Sequence, residues 1–369
     1  MRFTTTVQVL RDLVGIARPI AKSGTVMPVL QGILFSADAT LGEVHVQASN
    51  LNDAILARAT VSVHESGQAL IVSETLSKII GTLPADGEVT LACSGNNATL
   101  KCGRFKATLR TLSVQDFPTT PEPGAVVAQV ATSVFLDAAT CAMAATAKDA
   151  TDFKGSLRIL IDGQQMRLLA TDGTRLARWT EHDGITGTLD LVITRSSLAE
   201  AIRHIKAVNP EEVAIAACEG SRIVFTAGDR VFTTRILAFT YPNVEAVIPS
   251  SSDATTTCQR EELIEALKLS LVVAGAVDIP MVRVTAGKHS IKLQSGATGE
   301  HAGDFDGEIN ASLVGEPGSF AINGSHLLDA LRSLNVKTVT IGMQGSLKPI
   351  IIGMEADPRA TILIAPINA

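Results

Sequence analysis

The sequence ATDGTRLA, at residues 170–177, contains the residue types best suited to ligand recognition in this chain. Alternating apolar residues on both sides predict two strands, and the Asp-Gly pair predicts a tight turn between them. Arg175 could hydrogen-bond a ligand, and Leu176 beside it could contact an apolar group. Two interpretations are open at this point: an ordinary hairpin turn, or one edge of a binding site.

Residue patterns that support catalysis or metal binding do not occur elsewhere in the sequence. There is no GxxxxGK[ST], GxGxxG, GxSxG or HExxH motif. The seven histidines lack the spacing of metal ligands, and the five cysteines form no CxxC pair. We therefore expect no catalytic residue, no metal and no cofactor.

The composition indicates a cytoplasmic protein with several domains. A length of 369 residues suggests two or three domains. The net charge of −6 disfavours nucleic-acid binding through overall charge, although local positive surfaces remain possible. The odd number of cysteines favours a reducing compartment. The N-terminus lacks a signal-peptide pattern, and no apolar run is long enough for a membrane helix, so we expect no membrane contact.

Three segments of the sequence repeat one pattern. Each starts with a polar residue that could cap a helix, continues as a short amphipathic helix, and ends in a strand of alternating Val, Leu and Ile. The segments are 73–93, 194–218 and 323–343, in which Val89, Val213 and Val339 are equivalent. A longer amphipathic helix is predicted before each segment, at 6–23, 132–148 and 259–274.

The repeats predict three similar α+β domains in tandem. Their bounds are 1–123, 124–250 and 251–369. Each repeat is longer than a solenoid repeat and long enough to bury a core of its own. The junctions at 119–127 and 249–257 are rich in Pro, Gly, Ser and Thr, which is typical of connecting segments.

The order and spacing of these features resemble the bacterial DNA sliding clamps, the beta subunits of DNA polymerase III, over the whole chain. The most specific matches are ATDGTRLA, the Tyr241-Pro242 pair before VIP (247–249), and ILIAP (362–366). The resemblance implies a DNA clamp fold in which each domain packs two helices on antiparallel sheets.

The same resemblance implies a function without chemistry. Members form a ring of two identical protomers, joined head to tail, that encircles duplex DNA without sequence preference and slides along it. The ring is a processivity factor because it tethers the replicative DNA polymerase. It also binds the clamp loader and other proteins that carry clamp-binding peptide motifs.

Basic residues on the predicted helices are expected to face the DNA. A sliding ring needs weak contacts to phosphates, which Lys and Arg side chains supply. The expected DNA-facing residues are Lys22, Lys78, Lys148, Arg195, Arg203 and Lys206. Ordinary solvated helix charges are the alternative for each of them.

The resemblance also joins domain 1 of one protomer to domain 3 of the other through edge strands. The residues expected at this dimer interface are Lys101, Arg104, Lys106, Leu109 and Arg110 in domain 1, and Glu300, Asp304, Asp306 and Glu308 in domain 3. Opposite charges on the two edges would favour this pairing. Two separate edges that are protected from pairing by their charges are the alternative.

The motif at 170–177 matches part of a hydrophobic pocket that, in the family, lies between domains 2 and 3 and receives peptides of the Gln-Leu-x-Leu-Phe type. The pocket residues that the resemblance implies are Phe153, Thr171, Gly173, Thr174, Arg175, Leu176, Pro242, Val247, Asn323, His326, Leu363, Ile364, Ala365, Pro366 and Ile367, with Leu347 and Pro349 less secure. Apolar side chains would hold the Leu and Phe anchors, and Arg175 could fix polar atoms of the peptide. For Asn323, helix capping alone is the alternative.

Three departures from the family pattern concern this pocket. Thr174 stands where a larger polar residue is common, Ala246 stands where Arg is common, and the chain ends in APINA rather than in MP-x-R-Leu. These changes predict a pocket that is smaller-walled and less basic. They raise an alternative function, that of a diverged or inhibitor-resistant clamp paralogue with an altered partner set.

Overall fold

A computed structural model describes residues 1–21, 27–120, 122–275, 279–296, 303–355 and 357–367. Lys22, expected to face DNA, and Glu300, expected at the dimer interface, lie outside the described residues. The described residues form six α-helices and 25 strands. The helices are α1 (Val7–Ala17), α2 (Ser73–Thr82), α3 (Thr132–Met143), α4 (Arg195–Val208), α5 (Arg260–Ala274) and α6 (Gly324–Ser333).

The strands follow a similar order in each repeat, with nine in the first and eight in each of the others. The first repeat contains β1 (Arg2–Thr6), β2 (Gly32–Asp38), β3 (Glu43–Ser49), β4 (Asp53–Thr60), β5 (Ser62–Glu65), β6 (Gly67–Val72), β7 (Glu88–Ser94), β8 (Asn97–Cys102) and β9 (Phe105–Leu112). The second contains β10 (Val126–Ala131), β11 (Ser156–Asp162), β12 (Gln165–Thr171), β13 (Arg175–Glu181), β14 (Ile185–Thr194), β15 (Glu212–Cys218), β16 (Arg222–Ala227) and β17 (Arg230–Arg235). The third contains β18 (Ala254–Gln259), β19 (Met281–Ala286), β20 (Ser290–Gly296), β21 (Asp304–Val314), β22 (Gly318–Asn323), β23 (Thr338–Met343), β24 (Ile350–Met354) and β25 (Asp357–Ile364).

Helix α1 shows how the sequence determines these elements. The Thr6 hydroxyl accepts a hydrogen bond from the Val9 N–H at 3.2 Å and caps the first turn. Apolar residues such as Leu10 and Val14 recur at helical spacing and are buried. The helix ends at Ala17, before the predicted limit of 23, because Pro19 has no N–H to continue the hydrogen-bond ladder.

The chain forms two compact units, of which the first comprises residues 1–127 and 200–236. Its strands pair antiparallel in the order β9-β6-β2-β3-β4-β17-β16-β15. The pairing of β4 with β17 places Phe232 opposite Ile55, and both side chains are buried. Helix α1 packs on α2 and on β4.

The second unit comprises residues 128–199 and 237–369. Its strands pair antiparallel in the order β14-β11-β12-β13-β25-β24-β23-β18-β21-β20-β19-β22. The pairing of β13 with β25 places Ala177 opposite Ile362. Helix α3 packs on β12 and β13, and α5 packs on β20 and β21.

These compact units do not coincide with the three sequence repeats. Strand β17 of the second repeat pairs with β4 of the first, and β25 of the third repeat pairs with β13 of the second. Each unit is therefore built from parts of two repeats. The predicted α+β fold class is confirmed, whereas the division into domains 1–123, 124–250 and 251–369 stays a prediction.

Candidate functional site

A pocket of about 300 Å³ opens beside the turn at residues 172–174, in the second unit. Its lining consists of Phe153, Thr171, Gly173, Thr174, Arg175, Leu176, Pro242, Asn243, Val244, Val247, Pro349, Leu363 and Ala365. Most of these side chains are apolar. The motif at 170–177 is therefore both a hairpin connection, between β12 and β13, and one wall of a pocket.

The floor of the pocket belongs to a buried apolar cluster. Leu176 lies opposite Leu363 in the pairing of β13 with β25, and both are buried. The other buried members of the cluster are Leu169, Val192, Tyr241 and Val244. Because strand pairing fixes the floor, a ligand meets an apolar surface that is formed before it binds.

Tyr241 fixes the end of β12 beneath the turn. Its hydroxyl accepts a hydrogen bond from the Thr171 N–H at 3.0 Å and donates one to the Ser156 carbonyl at 3.4 Å. Burial raises the pKa of Tyr241 to about 12, so the hydroxyl stays protonated and can make both bonds.

The turn is held by Asp172. Its carboxylate accepts hydrogen bonds from the Thr174 N–H, the Thr174 hydroxyl and the Arg175 N–H, at 2.7–2.9 Å. Gly173 between them has φ +90°, in the left-handed region that favours glycine. Burial alone would raise the pKa of the Asp172 carboxyl, but the hydrogen bonds from Thr174 and Arg175 outweigh it and lower that pKa.

The Arg175 guanidinium is engaged within the protein. It donates to Asp172 at 2.8 Å, to Asp329 of α6 at 3.0 Å and to the Thr146 carbonyl at 3.3 Å. Its side chain is only 9% exposed. Arg175 lines the pocket, and three of its five N–H donors are used within the protein, where they hold the turn against α6 and against the segment after α3.

Five residues of the predicted pocket, and the less secure match Leu347, do not line the cavity; the five are Asn323, His326, Ile364, Pro366 and Ile367. Asn323 caps α6, since its side chain accepts from the Ser325 and His326 N–H groups. Burial and the nearby Arg175 lower the pKa of His326. Ile364 is fully buried opposite Arg175, and the Ile367 N–H donates to the Ala321 carbonyl.

Two lining residues, Asn243 and Val244, were missing from the sequence-based set, and Pro349 was the less secure match that does line the cavity. Asn243 and Val244 directly follow the Tyr241-Pro242 pair that the sequence singles out. Their position next to this pair was the only feature of the sequence that indicated a place in the pocket. A short 3-10 helix at Val244–Val247 turns these residues toward the cavity, and no apolar periodicity marks it.

The basic residues expected to face DNA differ in their surroundings. Lys148 and Lys206 are exposed, and Lys78 is exposed with a 2.7 Å ion pair to Glu74. The Arg195 guanidinium is partly buried and donates to the Met143 carbonyl and the Thr146 hydroxyl.

Arg203 is also held within the protein. Its guanidinium donates to Glu200 and to the Ile16 carbonyl at the end of α1. Lys148 and Lys206 therefore present exposed charge, whereas Lys78 is paired with Glu74 and the two arginines are bound to neighbouring groups.

The described residues expected at the dimer interface lie on segments of β9 and β21 that pair along one edge only, apart from Lys101 of β8, which is paired on both sides, and Arg104 in the turn. Lys101, Arg104, Lys106 and Arg110 are exposed on β8, β9 and the turn between them, with Leu109 partly buried, and we call residues 101–110 the basic edge. Asp304, Asp306 and Glu308 are exposed on β21, and we call residues 304–308 the acidic edge. Asp306 makes a 2.8 Å ion pair with Lys292 of the neighbouring strand.

Among the described residues, no group of three or more His, Cys, Asp and Glu side chains is placed to hold a metal ion. The helices in this part of the chain are all too short or too polar to cross a membrane.

Comparison with known proteins gives consistent matches. The model of the DNA polymerase III beta subunit N-terminal domain matches residues 1–121, and that of the C-terminal domain matches residues 245–368. The beta sliding clamp of Synechococcus elongatus is 26% identical over 92% of either chain. The beta sliding clamp homolog GriR of Streptomyces muensis is 26% identical over 100% of this chain and 99% of its own.

Solved structures match over the full length. A DnaN sliding clamp of Pseudomonas aeruginosa bound to griselimycin has a TM-score of 0.90 at 21% identity and covers 100% of both chains. The DNA polymerase III beta subunit of Thermotoga maritima has a TM-score of 0.87 at 21% identity, over 100% of this chain and 99% of its own. These structures share the fold of the present chain.

Proposed function

We propose, because this chain belongs to the DNA polymerase III beta subunit family of bacterial sliding clamps, that it closes as a head-to-tail homodimer around duplex DNA. The family consists of non-catalytic processivity factors, so the chain is a DNA polymerase processivity clamp and not an enzyme. Its pocket would tether the replicative polymerase, the clamp loader and other proteins with clamp-binding peptides. It would do so in the cytoplasm, where the bacterial chromosome lies.

Two strand pairings inside the chain suggest how the ring closes. Strands β17 and β25 are each the last strand of a repeat, and their partners β4 and β13 are each the third strand after the first helix of a repeat. The remaining equivalent pair is β9 and β21. In the described part of the chain, residues 105–110 of β9 and 304–310 of β21 each pair along one edge only.

The internal pairings also suggest the register of that junction. Hairpin positions make Ala107 equivalent to Phe232 and Ile362, and make Phe305 equivalent to Ile55 and Ala177. Ala107 would then face Phe305 of the partner subunit. One residue earlier on β9, Lys106 would face Asp306 of the partner subunit. A directly opposed pair of opposite charges stabilises such a register.

An exposed apolar residue on α5 supports the same closure. The tenth residue of α1 is Ile16 and that of α3 is Cys141, and both are buried. The tenth residue of α5 is Leu269, which is 61% exposed. In the first unit, Arg203 of α4, the second helix of the following repeat, donates to the Ile16 carbonyl of α1, so the two helices meet at this tenth position. The equivalent neighbour of α5 would be α2 of the partner subunit.

The DNA contacts would be made mainly by lysines. Lys148 and Lys206 are exposed, and the surface pair of Lys78 with Glu74 is worth little in water. Exposed ammonium groups on flexible stems suit weak, sequence-independent contacts to phosphates. Arg195 and Arg203 would add positive potential without reaching the phosphates directly.

The observation that carries the peptide-binding proposal is the apolar pocket beside the turn at 172–174. Its test is a fluorescence-anisotropy titration with a labelled, C-terminally amidated Gln-Leu-Ser-Leu-Phe peptide. Leu176→Asp places a charge on the pocket floor, and we expect it to abolish saturable binding. Because Leu176 is buried, Val247→Asp is the matched variant: Val247 lines the pocket but is 63% exposed, so this change spares the core.

We expect Val247→Asp to weaken binding about tenfold, since it removes an apolar contact and introduces a charge. The absence of saturable binding to the wild type would refute a peptide-binding pocket at this turn. Unchanged binding by Val247→Asp would locate the peptide elsewhere.

A diverged or inhibitor-resistant clamp copy is the alternative function. The observation that favours it is the composition of the pocket wall, where Thr174 is small and its hydroxyl is bonded to Asp172. Griselimycin, which is bound in the solved Pseudomonas aeruginosa clamp, separates the two functions when it is used as a competitor in the same titration. Displacement of the peptide supports an ordinary clamp, whereas a peptide that binds and resists displacement supports the resistant copy.

A further inference from the structure

The polar groups of the turn are already used within the protein. The Gly173 N–H donates to the Thr171 hydroxyl, and the Thr174 and Arg175 N–H groups donate to Asp172. A peptide therefore finds few backbone donors on this wall. Its polar recognition has to come from another group at the pocket.

The charged side chains nearest the floor are also paired. Arg175 is bound to Asp172 and Asp329. Arg167 makes a 2.9 Å ion pair with Glu245 of the short helix that lines the pocket. The opposite charges within each ion pair neutralise one another, so these residues offer little net charge to a ligand.

Lys154 is the exception. A Cβ atom added at Gly173 would have the Lys154 Cε as its nearest neighbour, at 4.0 Å. The Lys154 Nζ lies 6.0 Å from the centre of the Phe153 ring. Gly173 and Phe153 both line the pocket, so these two distances place the Lys154 side chain beside the pocket wall, although Lys154 is not itself a lining residue.

The ammonium group of Lys154 has no carboxylate partner within ion-pair distance among the described residues. Asp149 and Asp152 are the acidic residues of its own segment. The Asp152 carboxylate accepts from the Lys154 backbone N–H at 3.0 Å rather than from its ammonium. Lys154 is exposed, so its charge is available to a ligand.

The backbone beneath this side chain is fixed. The Lys154 carbonyl accepts from the Ala147 N–H at 2.7 Å, and its N–H is bound to Asp152. Gly155 follows, and a Cβ there would collide with the Ala150 carbonyl. The segment therefore holds the Lys154 Cα in one place, and only the flexible stem moves.

We infer that Lys154 is a specificity-determining residue of the pocket and that the preferred peptides carry a carboxylate beside their apolar anchors. This inference rests on the proposed peptide-binding function. An exposed ion pair contributes about 0.2–1 kcal/mol, so the preference for a carboxylate over an uncharged isostere is about 1.4-fold to fivefold. The carboxylate could belong to an Asp or Glu side chain or to a peptide C-terminus.

The test compares matched Asp and Asn peptides in anisotropy titrations. The probes are amidated Gln-Leu-x-Leu-Phe peptides with the Asp or Asn at x, before Gln or after Phe, together with the free-acid form of Gln-Leu-Ser-Leu-Phe. The variants are Lys154→Gln and, as a control with the same loss of charge, Lys288→Gln. Lys288 is exposed in the turn between β19 and β20.

We expect the wild type and Lys288→Gln to prefer at least one acidic peptide, and Lys154→Gln to bind the Asp and Asn forms equally. The preference should fade at high salt because an exposed pair is screened. Equal binding of every Asp and Asn pair by the wild type would overturn the role of Lys154 and leave the peptide pocket standing. A preference that survives in Lys154→Gln would also overturn it. If no peptide binds at all, this inference and the proposed function fail together.

Discussion

The Arg175 side chain joins three parts of the second unit at one point. It crosses from the turn to Asp329 of α6 and to the Thr146 carbonyl after α3. A peptide contact at the turn is therefore mechanically connected to two helices. We therefore expect the rigidity of the pocket wall to depend on the ion pair between Arg175 and Asp329.

We predict that Asp329→Asn weakens peptide binding about threefold to fivefold and lowers the free energy of unfolding by about 1 kcal/mol. The ion pair is partly exposed, which keeps the effect small. Glu74→Gln is the matched control, because Glu74 is 46% exposed, as against 47% for Asp329, and also pairs with a basic residue. Anisotropy and urea unfolding measure both quantities. Equal peptide affinity in the wild type and Asp329→Asn would show that the turn keeps its shape without α6.

The sequence predicted the turn from a local motif and strand alternation, and the resemblance to the family supplied most of the residues that line the pocket. It did not predict the engagement of Arg175. Asp329 is 154 residues away from Arg175, and nothing in either local sequence marks the pair. The sequence predicted only that Arg195 and Arg203 lie on helices. It did not predict that their guanidinium groups donate hydrogen bonds to backbone carbonyls of neighbouring helices.

At the scale of the elements, arginines cap the ends of neighbouring helices. Arg11 of α1 donates to the Ile80 and Leu83 carbonyls at the end of α2. Arg260 of α5 donates to the Leu331 and Val336 carbonyls at and beyond the end of α6. Arg195 and Arg203 do the same for α3 and α1. A cation stabilises the negative end of a helix dipole and satisfies carbonyls that lack partners within the helix.

Helix α4 also contains a buried histidine. His204 is 1% exposed, and its ring lies 5.8 Å from that of Phe232. Burial, with Arg203 and Arg230 nearby, lowers the pKa of His204 to about 3. The folded state therefore holds His204 neutral, while the unfolded chain takes up a proton near pH 6.5. Its contribution to stability is complete above pH 6.5 and is lost as the pH falls toward 3.

We predict that the free energy of unfolding falls by about 2 kcal/mol more between pH 7 and pH 5 in the wild type than in His204→Gln. The slope with pH is compared, rather than the stability itself, because any replacement of a buried ring disturbs packing. Urea unfolding at several pH values gives the slope. Parallel slopes would mean that His204 is protonated in the folded protein.

The helix starts and strand alternations were readable in the sequence, and all six helices are where the repeats predicted them, though α1 and α3 end early. The pairing of β4 with β17 and of β13 with β25 could not be predicted from the sequence. Which two strands pair depends on side chains more than 100 residues apart in the sequence. The alternation of apolar residues predicts which face of a strand is buried, but it does not predict which strand lies beside it.

At the scale of the whole molecule, the proposed ring requires the charges of the basic edge to complement those of the acidic edge of the partner subunit. We predict that Lys106→Glu shifts the homodimer toward monomer, because it would oppose Asp306 of the partner subunit with a like charge. Adding Asp306→Lys to the same chain should restore the dimer in part, although Lys292 beside residue 306 limits the recovery. Analytical ultracentrifugation over a concentration series measures the dissociation constant.

The control for this pair is Lys288→Glu, which makes the same charge change away from both edges. We expect it to leave the dissociation constant unchanged. If Lys106→Glu dimerises as tightly as the wild type, the register inferred from the internal pairings is incorrect. If the double variant is weaker than Lys106→Glu alone, the two residues do not face each other.

The basic edge and the acidic edge lie on the same polypeptide, and this has a genetic consequence. In a cell with two clamp genes whose products keep both edges, the products would assemble into mixed rings as readily as into pure ones. A copy with a ruined pocket would then enter most rings and act as a dominant allele. Substitution of a few charged residues on these edges would be enough to prevent mixed rings. Each copy could then evolve its own set of binding partners.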